Sequence, residues 1–193
     1  MILYFSGTGN SQFVALQIAK LTDDDEIISI NKYLKSGKKT TIRSGNPLVF
    51  VAPTYSWRMP RVVEQWILDT GFKGCKDAYF ILTCGGGCGN AALYAEKLCA
   101  KKGLRFCGLS PVVMPENYLA MFPTPGEAEC QTIVENAMPV ITALAGKIKA
   151  GAGFDKADVS FMDRFESGPV NPLFYKLFVN DKGFCHECLY FLR

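Results

Sequence analysis

Residues 1–11 read M-I-L-Y-F-S-G-T-G-N-S, and this stretch decides the fold. An apolar strand, residues 1–5, leads directly into a loop of small polar residues, and residues 12–21 then have the character of a helix. Such a loop can turn backbone N–H groups and hydroxyls inward, while the helix N-terminus adds the positive end of its dipole. The stretch therefore predicts a phosphate-binding loop. The alternative is a hydroxyl-capped turn that binds nothing.

Neither of the two common nucleotide fingerprints is complete in this loop. It contains no lysine or arginine, so the G-x-x-x-x-G-K-[ST] pattern is absent. Of a G-x-G-x-x-G pattern only Gly7 and Gly9 are in place, with Gln12 at the third position. The loop consequently predicts a phosphate site of another kind.

Length and composition indicate one domain with an appendage. The chain has 193 residues, of which 49% are hydrophobic, enough for a substantial core. Its net charge of +3 is scattered along the chain, which argues against a nucleic-acid surface. We find no signal peptide and no apolar stretch long enough to span a membrane, so we expect a cytoplasmic protein.

The cysteines and the single histidine limit the chemistry. In a cytosolic chain of this size, eight cysteines are expected to be buried thiols or cluster ligands rather than disulfides. Because His186 is the only histidine, a multi-histidine metal site is excluded. A Ser-His-Asp triad would depend on this one residue near the far terminus.

Four further apolar runs alternate with helical stretches. Strands are predicted at 26–30, 47–52, 77–83 and 104–113, and helices at 62–68, 91–102 and 126–150, with Pro139 as a kink or interruption. Residues 32–45 are polar and basic, and we expect a surface connection there or, alternatively, a contact patch for a partner. The alternation predicts an α/β fold with a doubly wound, five-stranded parallel sheet.

Two more unusual loops follow predicted strands. One reads P-T-Y-S-W-R-M-P at 53–60, and the other reads C-G-G-G-C-G-N at 84–90. In an open parallel sheet, ligands bind outside the carboxyl ends of the strands, where all three loops would lie. This coincidence favours the flavodoxin-like strand order 2-1-3-4-5.

Residues 1–150 resemble a flavodoxin domain. The whole pattern, including M-P-E-N-Y at 114–118 and a C-terminal C-x-x-C, resembles the ferrodoxin family, in which a flavodoxin domain is fused to a ferredoxin with two 4Fe-4S clusters. We divide the chain into an FMN-binding domain, residues 1–150, and an aromatic-rich extension, residues 151–193. So aromatic an extension is expected to pack on the domain or on a partner.

The resemblance implies FMN as the cofactor and a contact set for it. The phosphate would be bound by Ser6, Gly7, Thr8, Gly9, Asn10 and Ser11. One flavin face would lie along Pro53, Thr54, Tyr55, Ser56, Trp57 and Arg58, with Tyr55 or Trp57 stacking on the ring. The pyrimidine edge and the other side would contact Thr83, Cys84, Gly85, Gly86, Gly87, Cys88, Gly89 and Asn90, and Tyr118 would cover the flavin. Ordinary packing is the alternative role for Tyr55, Trp57 and Tyr118.

Three of these positions carry more specific hypotheses. A cation at Arg58, near N1 and O2 of the ring, would raise the flavin potential above that of a typical flavodoxin; the alternative is a solvent-exposed arginine. Cys84 and Cys88 are expected to act as small side chains that let the backbone approach the flavin, with a reactive redox pair as the alternative.

The C-terminus departs from the ferredoxin pattern. Cys185 and Cys188 fit the first two positions of C-x-x-C-x-x-C-x-x-x-C-P, but Phe191 occupies the third. Two thiolates cannot hold a 4Fe-4S cluster alone, so such clusters are expected only if the natural chain continues beyond Arg193. A truncated ferredoxin module, a degenerate tail and a metal site shared between two chains remain open.

We expect an FMN-binding electron-transfer flavoprotein of the flavodoxin type, in which the chemistry belongs to the cofactor. Its partner would be a redox protein, and a homodimer stays open. The alternative is an NAD(P)H-dependent FMN reductase acting on quinones or other small acceptors. A flavin-free interaction module is a third class.

Overall fold

The computed structural model of the chain describes residues 1–37, 40–117 and 125–178. The strands are β1 (Ile2–Tyr4), β2 (Ile27–Ser29), β3 (Thr41–Ser44), β4 (Leu48–Pro53), β5 (Gly71–Gly74), β6 (Asp77–Cys84) and β7 (Arg105–Val113). The helices are α1 (Asn10–Thr22), α2 (Ile30–Ser36), α3 (Arg61–Asp69), α4 (Ala91–Lys102), α5 (Glu127–Lys149), α6 (Phe161–Phe165) and α7 (Asn171–Phe178), with a π-helical turn (Glu166–Val170) between the last two.

The main sheet confirms the predicted architecture. Its five strands are all parallel, in the order β2-β1-β4-β6-β7, which is 2-1-3-4-5 when only these strands are numbered. Five of the six residues of β4 and six of the eight of β6 are buried, as expected for strands covered on both faces. The sheet therefore separates two apolar layers.

Alternate residues of the central strands enter opposite layers. Leu3, Phe50 and Phe80 pack with side chains of α3 and α4, and the Phe50 and Phe80 rings stack with their centres 5.0 Å apart. Ile2 and Tyr79 belong to the other layer, with α1 and α5. Both faces of the sheet are thus closed by helices, and its edges, where the loops lie, stay accessible.

The prediction of a surface connection at residues 32–45 was wrong. Residues 30–36 form α2, and β3 pairs in parallel with β5 to make a separate two-stranded sheet. The reason is that each of these short strands buries one apolar side chain, Ile42 or Phe72, between polar or glycine neighbours, so neither forms the apolar run by which the longer strands were recognised.

Helix α5 continues through Pro139, so the predicted interruption is not found. A proline inside a helix removes one backbone hydrogen bond. Ile141, Leu144 and Ala145 are buried just beyond it, and this packing outweighs the lost bond.

The described part of the C-terminal extension contacts the domain through buried polar side chains. Ser167 and Asn171 are buried to 0% and 1% exposure and bond to the loops after β4 and β6. Phe161, in contrast, is 82% exposed. Within the described ranges, no helix combines the length and apolar character that crossing a membrane requires.

Candidate functional site

Three loops meet at the carboxyl edge of the main sheet. They follow β1, β4 and β6, which are neighbours in the sheet, and the chain leaves β1 towards β2 on one side and pairs with β4 on the other. The strand order reverses at this point, and ligands of open parallel sheets bind at such a reversal. Residues 115–117, after β7, close the same edge.

The loop after β1 has the geometry of an anion site. The Gly9 N–H donates to the Ser6 hydroxyl at 3.1 Å, and Gly9 has a φ of 110°, which an L side chain rarely adopts. Helix α1 then begins at Asn10, and its first turn contains no acidic residue. The first intrahelical bond runs from the Phe13 N–H to the Gly9 carbonyl, so the N–H groups of residues 10–12 have no partner within the helix. These donors and the helix dipole together favour a phosphate.

Neighbouring segments fix this loop in place. The Asn31 side-chain amide makes two bonds of 3.1 Å with the backbone of Ser6, donating to its carbonyl and accepting from its N–H. The Asn10 amide donates to the Pro115 carbonyl at 2.9 Å, and the Asn117 amide donates to the Thr8 hydroxyl. The loop is therefore held before any ligand binds.

Ser11 takes a different position from the one predicted for its hydroxyl. It is 2% exposed, and its hydroxyl lies 2.8 Å from that of Thr83, which is also buried. This side-chain contact joins the start of α1 to the end of β6. Of the groups on Ser11, the backbone N–H is the one left to face an anion.

The loop after β4 contains a strained turn. Tyr55 and Arg58 exchange backbone hydrogen bonds of 2.8 and 3.3 Å, and the two residues between them, Ser56 and Trp57, have φ values of 49° and 60°. Positive φ at both central positions defines a type I′ turn, which normally contains Gly, Asn or Asp. A serine and a tryptophan here carry backbone strain of a kind concentrated at functional sites.

Two hydroxyls beside this turn are buried without a hydrogen-bond partner among the described residues. They belong to Thr54 and Ser56. A buried hydroxyl without a partner is unfavourable, so native proteins rarely keep one unless a ligand or water satisfies it. Tyr55 is 45% exposed, and its hydroxyl lies 3.9 Å from the Cβ position of an alanine built at Gly7. The loop after β4 thus comes close to the loop after β1.

Arg58 is directed at Tyr94 and Glu64. Its guanidinium carbon lies 3.6 Å from the centre of the Tyr94 ring, and its NH2 group is 3.3 Å from the Glu64 carboxylate. Burial raises the pKa of Glu64 above its usual range, while the positive charge of Arg58 opposes that rise. The arginine is not the solvent-exposed residue of the alternative, since its side chain is only 17% exposed.

The loop after β6 is open in its middle and crowded at its ends. Residues 85–87 are exposed, and no atom lies within 4 Å of a Cβ built at Gly86 or Gly87. A Cβ at Gly85 would overlap the Glu116 carboxylate, and one at Gly89 would overlap the Ser167 hydroxyl. Backbone can therefore approach a ligand closely at the centre of this loop.

The two cysteines of this loop are not activated thiols. Burial raises the pKa of Cys84 to about 12 and that of Cys88 to about 11. Reactive cysteines have lowered values, so the geometry favours the interpretation of these residues as small side chains over that of a redox pair.

Three sequence-predicted site residues, Tyr118, Cys185 and Cys188, lie outside the described residues. Asn31, Ser167 and Asn171 were missed. No signal in the sequence singles out the last two, since several other polar and charged residues lie in the same segment. Among residues 1–37, 40–117 and 125–178, no three His, Cys, Asp or Glu side chains are grouped so as to hold a metal ion.

The parallel strand order β2-β1-β4-β6-β7 identifies the fold. The fold is flavodoxin-like. No protein-family model matches the chain, and no curated protein matches it.

Among solved structures, the chain is similar to a flavodoxin from the domain Archaea, with 14% identity, 77% of this chain and 97% of that one covered, and a TM-score of 0.41. It is also similar to the Trp repressor binding protein from Bacillus subtilis, with 14% identity, coverage of 81% and 99%, and a TM-score of 0.44. A third is the azoreductase AzrA, with 11% identity, coverage of 76% and 99%, and a TM-score of 0.42. At these TM-scores, none of the likenesses assigns a ligand or a residue role to this chain.

Proposed function

We propose that the chain is an FMN-binding electron-transfer flavoprotein of the flavodoxin type. The observation that carries the proposal is the meeting of the three loops at the strand-order reversal. One of them leads into a helix whose first N–H groups have no partner within the helix, and another contains a strained turn with an aromatic residue. The phosphate would be held by the backbone N–H groups of residues 7, 8 and 10–12 and by the Ser6 and Thr8 hydroxyls. The ring would lie between Tyr55 or Trp57 and the backbone of residues 84–90.

The residues present fit this cofactor. Two buried hydroxyls, on Thr54 and Ser56, have no partner among the described residues and could bond to polar ring atoms. The open backbone at Gly86 and Gly87 leaves room for a flat ring edge. Bound FMN would supply one- and two-electron redox chemistry, and the chain would bind it, orient it and exclude water from it.

The role that we propose for Arg58 differs from the direct effect on the flavin potential that the sequence analysis predicted. Its charge is balanced by Glu64 at 3.3 Å, so an unopposed cation beside the flavin is not the arrangement we propose. We assign Arg58 instead to fixing the end of the 55–58 turn against α3 and α4, through Glu64 and Tyr94. Any effect on the flavin potential would then be indirect.

An alternative function is an NAD(P)H-dependent FMN reductase for quinones or other small acceptors. The observation that favours it is the exposure of residues 85–87 and of Tyr55, which leaves the candidate flavin edge open to a small molecule. Steady-state NADPH oxidation by the FMN-loaded protein separates the two proposals. Fast turnover with a quinone supports the reductase, and its absence supports the carrier.

The ferredoxin half of the resemblance stays a prediction, because Cys185 and Cys188 lie outside the described residues. Analysis of the purified chain for iron and acid-labile sulfide tests it. Finding neither in anaerobically prepared protein would exclude a cluster in this chain.

The central experiment is a titration of FMN and of riboflavin into the protein, followed by flavin fluorescence. We expect FMN to bind in the micromolar range or tighter and riboflavin more weakly, since riboflavin lacks the phosphate. Ser6→Ala, which removes the acceptor of the Gly9 N–H, should weaken FMN and leave riboflavin unchanged. An absence of quenching at about 100 µM FMN would refute the proposal.

A further inference from the structure

The C-terminal helical segment reaches the candidate flavin site through two buried polar side chains. Residues 161–178 are helical throughout, with a π-helical turn, Glu166–Val170, that contains Pro169. Proline lacks an N–H and disturbs regular α-helical bonding, which accounts for the irregular turn at this point. Ser167 lies within the turn and Asn171 directly follows it, and both are buried against the domain.

Ser167 joins the two loops that would enclose the flavin ring. Its hydroxyl accepts a hydrogen bond from the Asn90 N–H at 2.7 Å and donates one to the Trp57 carbonyl at 3.2 Å. A Cβ built at Gly89 would overlap this hydroxyl and come within 3.0 Å of the Trp57 Cβ. The serine therefore occupies a space that exists only because residue 89 is glycine.

Asn171 bonds to the preceding carbonyl of the same turn. Its amide NH2 donates to the Ser56 carbonyl at 2.7 Å, and its amide oxygen accepts from the Arg61 guanidinium at 3.2 Å. The Arg61 guanidinium in turn lies 4.0 Å from the centre of the Tyr175 ring. Arg61 thus keeps the asparagine amide oriented with its donor towards the turn.

Both central carbonyls of the 55–58 turn are consequently bound by this one segment. Ser56 and Trp57 are the two residues of the turn with positive φ, a conformation that serine and tryptophan rarely adopt without support. The Tyr55–Arg58 backbone bonds close the turn, but they leave the two central carbonyls unbonded. Ser167 and Asn171 supply those partners from 110 and 115 residues further along the chain.

We propose that Ser167 and Asn171 are positioning residues that hold the Ser56–Trp57 turn in the conformation that receives the flavin ring. The C-terminal segment is then part of the cofactor site, although it lies outside the sheet and its covering helices. This inference rests on the proposed function for its ligand. The clamp itself, meaning the two bonds from Ser167 and Asn171 to the turn, can be tested without any ligand.

The test uses Trp57 as its reporter. The chain has two tryptophans, Trp57 and the buried Trp66, so a Trp66→Phe background leaves Trp57 as the single emitter. Into this background we would introduce Asn171→Asp, which keeps the acceptor for Arg61 and loses the donor to Ser56, and separately Ser167→Ala. Lys176→Ala, an exposed position on the same segment, is the matched control.

Without FMN, we expect both clamp variants to increase acrylamide quenching of Trp57 at least about twofold, because the released turn opens more often to solvent. With FMN, we expect the dissociation constant to rise about tenfold for each, the amount typical for a lost buried hydrogen bond. Lys176→Ala should change neither quantity. A thermal unfolding curve identifies any variant that fails to fold, and the other clamp variant then decides.

Unchanged Trp57 quenching in folded Ser167→Ala and Asn171→Asp would overturn the clamp, whatever FMN does. Increased quenching with unchanged FMN affinity would show a structural bond only and would also overturn the positioning role. If wild-type protein binds no FMN, the proposed function fails, and the quenching result still tells whether the bonds fix the turn.

Discussion

The guanidinium carbon of Arg58, in the loop after β4, lies 3.6 Å from the centre of the Tyr94 ring in α4. This cation–π contact should stabilise the fold, because the arginine is largely buried and also pairs with Glu64. We expect Arg58→Ala to lower the free energy of unfolding by about 1–3 kcal/mol, because it removes the ring contact and leaves Glu64 without its partner. Urea unfolding measures this loss. Lys97→Ala is the control, since Lys97 lies 5.8 Å from the same ring and should cost under about 0.5 kcal/mol. Equal losses would refute the assignment.

Glu64 should give stability a specific pH dependence. Its pKa is raised in the folded protein by burial, so between the unfolded value and the higher folded value the folded state binds more protons. The contribution of Glu64 to the free energy of unfolding is therefore complete below its unfolded pKa, and it is lost as pH rises through its folded pKa. We expect Glu64→Gln to become more stable relative to wild type, in urea unfolding, as pH rises from the unfolded pKa through the raised folded pKa.

Asp77 provides a control of opposite sign. A hydrogen bond from Arg105 lowers the pKa of Asp77, so its contribution is present above the unfolded pKa and is lost as pH falls. Asp77→Asn should therefore become less stable relative to wild type as pH rises. The same sign for both variants would contradict the roles assigned to these carboxyls.

Gly89 should resist substitution more than a glycine with similar backbone geometry. Gly89 and Gly103 have φ values of 53° and 63°, so alanine at either pays about 1–2 kcal/mol for the left-handed conformation. Only at Gly89 would the added Cβ also overlap Ser167 and press on Trp57, whereas nothing lies within 4 Å at Gly103. We expect Gly89→Ala to cost roughly 1–3 kcal/mol more than Gly103→Ala in urea unfolding, by overpacking. Equal costs would show that the loop can move aside.

The main sheet could be predicted because its signals are local. The buried runs of β4 and β6 are continuous apolar stretches in the sequence, and the loop after β6 is rich in glycine. Their alternation with helices predicts a parallel sheet, and the unusual loops at its carboxyl edge favour the observed strand order. The short strand β3 escaped recognition, because its one buried apolar side chain, Ile42, gives too few apolar residues for a pattern. In the sheet Ile42 pairs with Phe72, thirty residues further along the chain, and neither segment on its own indicates this pairing.

The candidate site was predictable as a set of loops and not as a set of contacts. No rule of propensity assigns positive φ to Ser56 and Trp57, which is imposed by tertiary bonds. The Ser11 hydroxyl was expected to face a phosphate, but it meets Thr83, since the start of α1 packs against the end of β6. Asn171 lies far from the site in the sequence, and only the folded chain brings its amide to the Ser56 carbonyl.

Cys84 and Cys88 should be slow to alkylate. Because burial raises the pKa of Cys84 to about 12 and that of Cys88 to about 11, almost none of either thiol is ionised near neutral pH. We expect iodoacetamide labelling of these two residues, read by peptide mass spectrometry, to be far slower in folded protein than in urea. Its rate should keep rising with pH past about 9, where an ordinary thiol is levelling off. Rapid labelling near neutral pH would restore the redox-pair alternative.

Two threonines with buried hydroxyls should respond to valine with opposite signs. The Thr54 hydroxyl has no partner among the described residues, whereas the Thr70 hydroxyl donates to the Trp66 carbonyl at 2.7 Å. Thr70→Val should therefore lower the free energy of unfolding by about 1 kcal/mol. Thr54→Val should leave the FMN-free protein unchanged or stabilise it by about 1 kcal/mol, because it removes an unsatisfied hydroxyl.

The same pair of variants then tests what the Thr54 hydroxyl is for. If it bonds to a bound flavin, Thr54→Val should weaken FMN about tenfold while Thr70→Val leaves FMN affinity unchanged. A gain in stability that accompanies a loss of affinity is the signature of a binding site, since the buried group is costly until its ligand arrives. A Thr54→Val protein that is destabilised, or that binds FMN as wild type does, would remove this hydroxyl from the site.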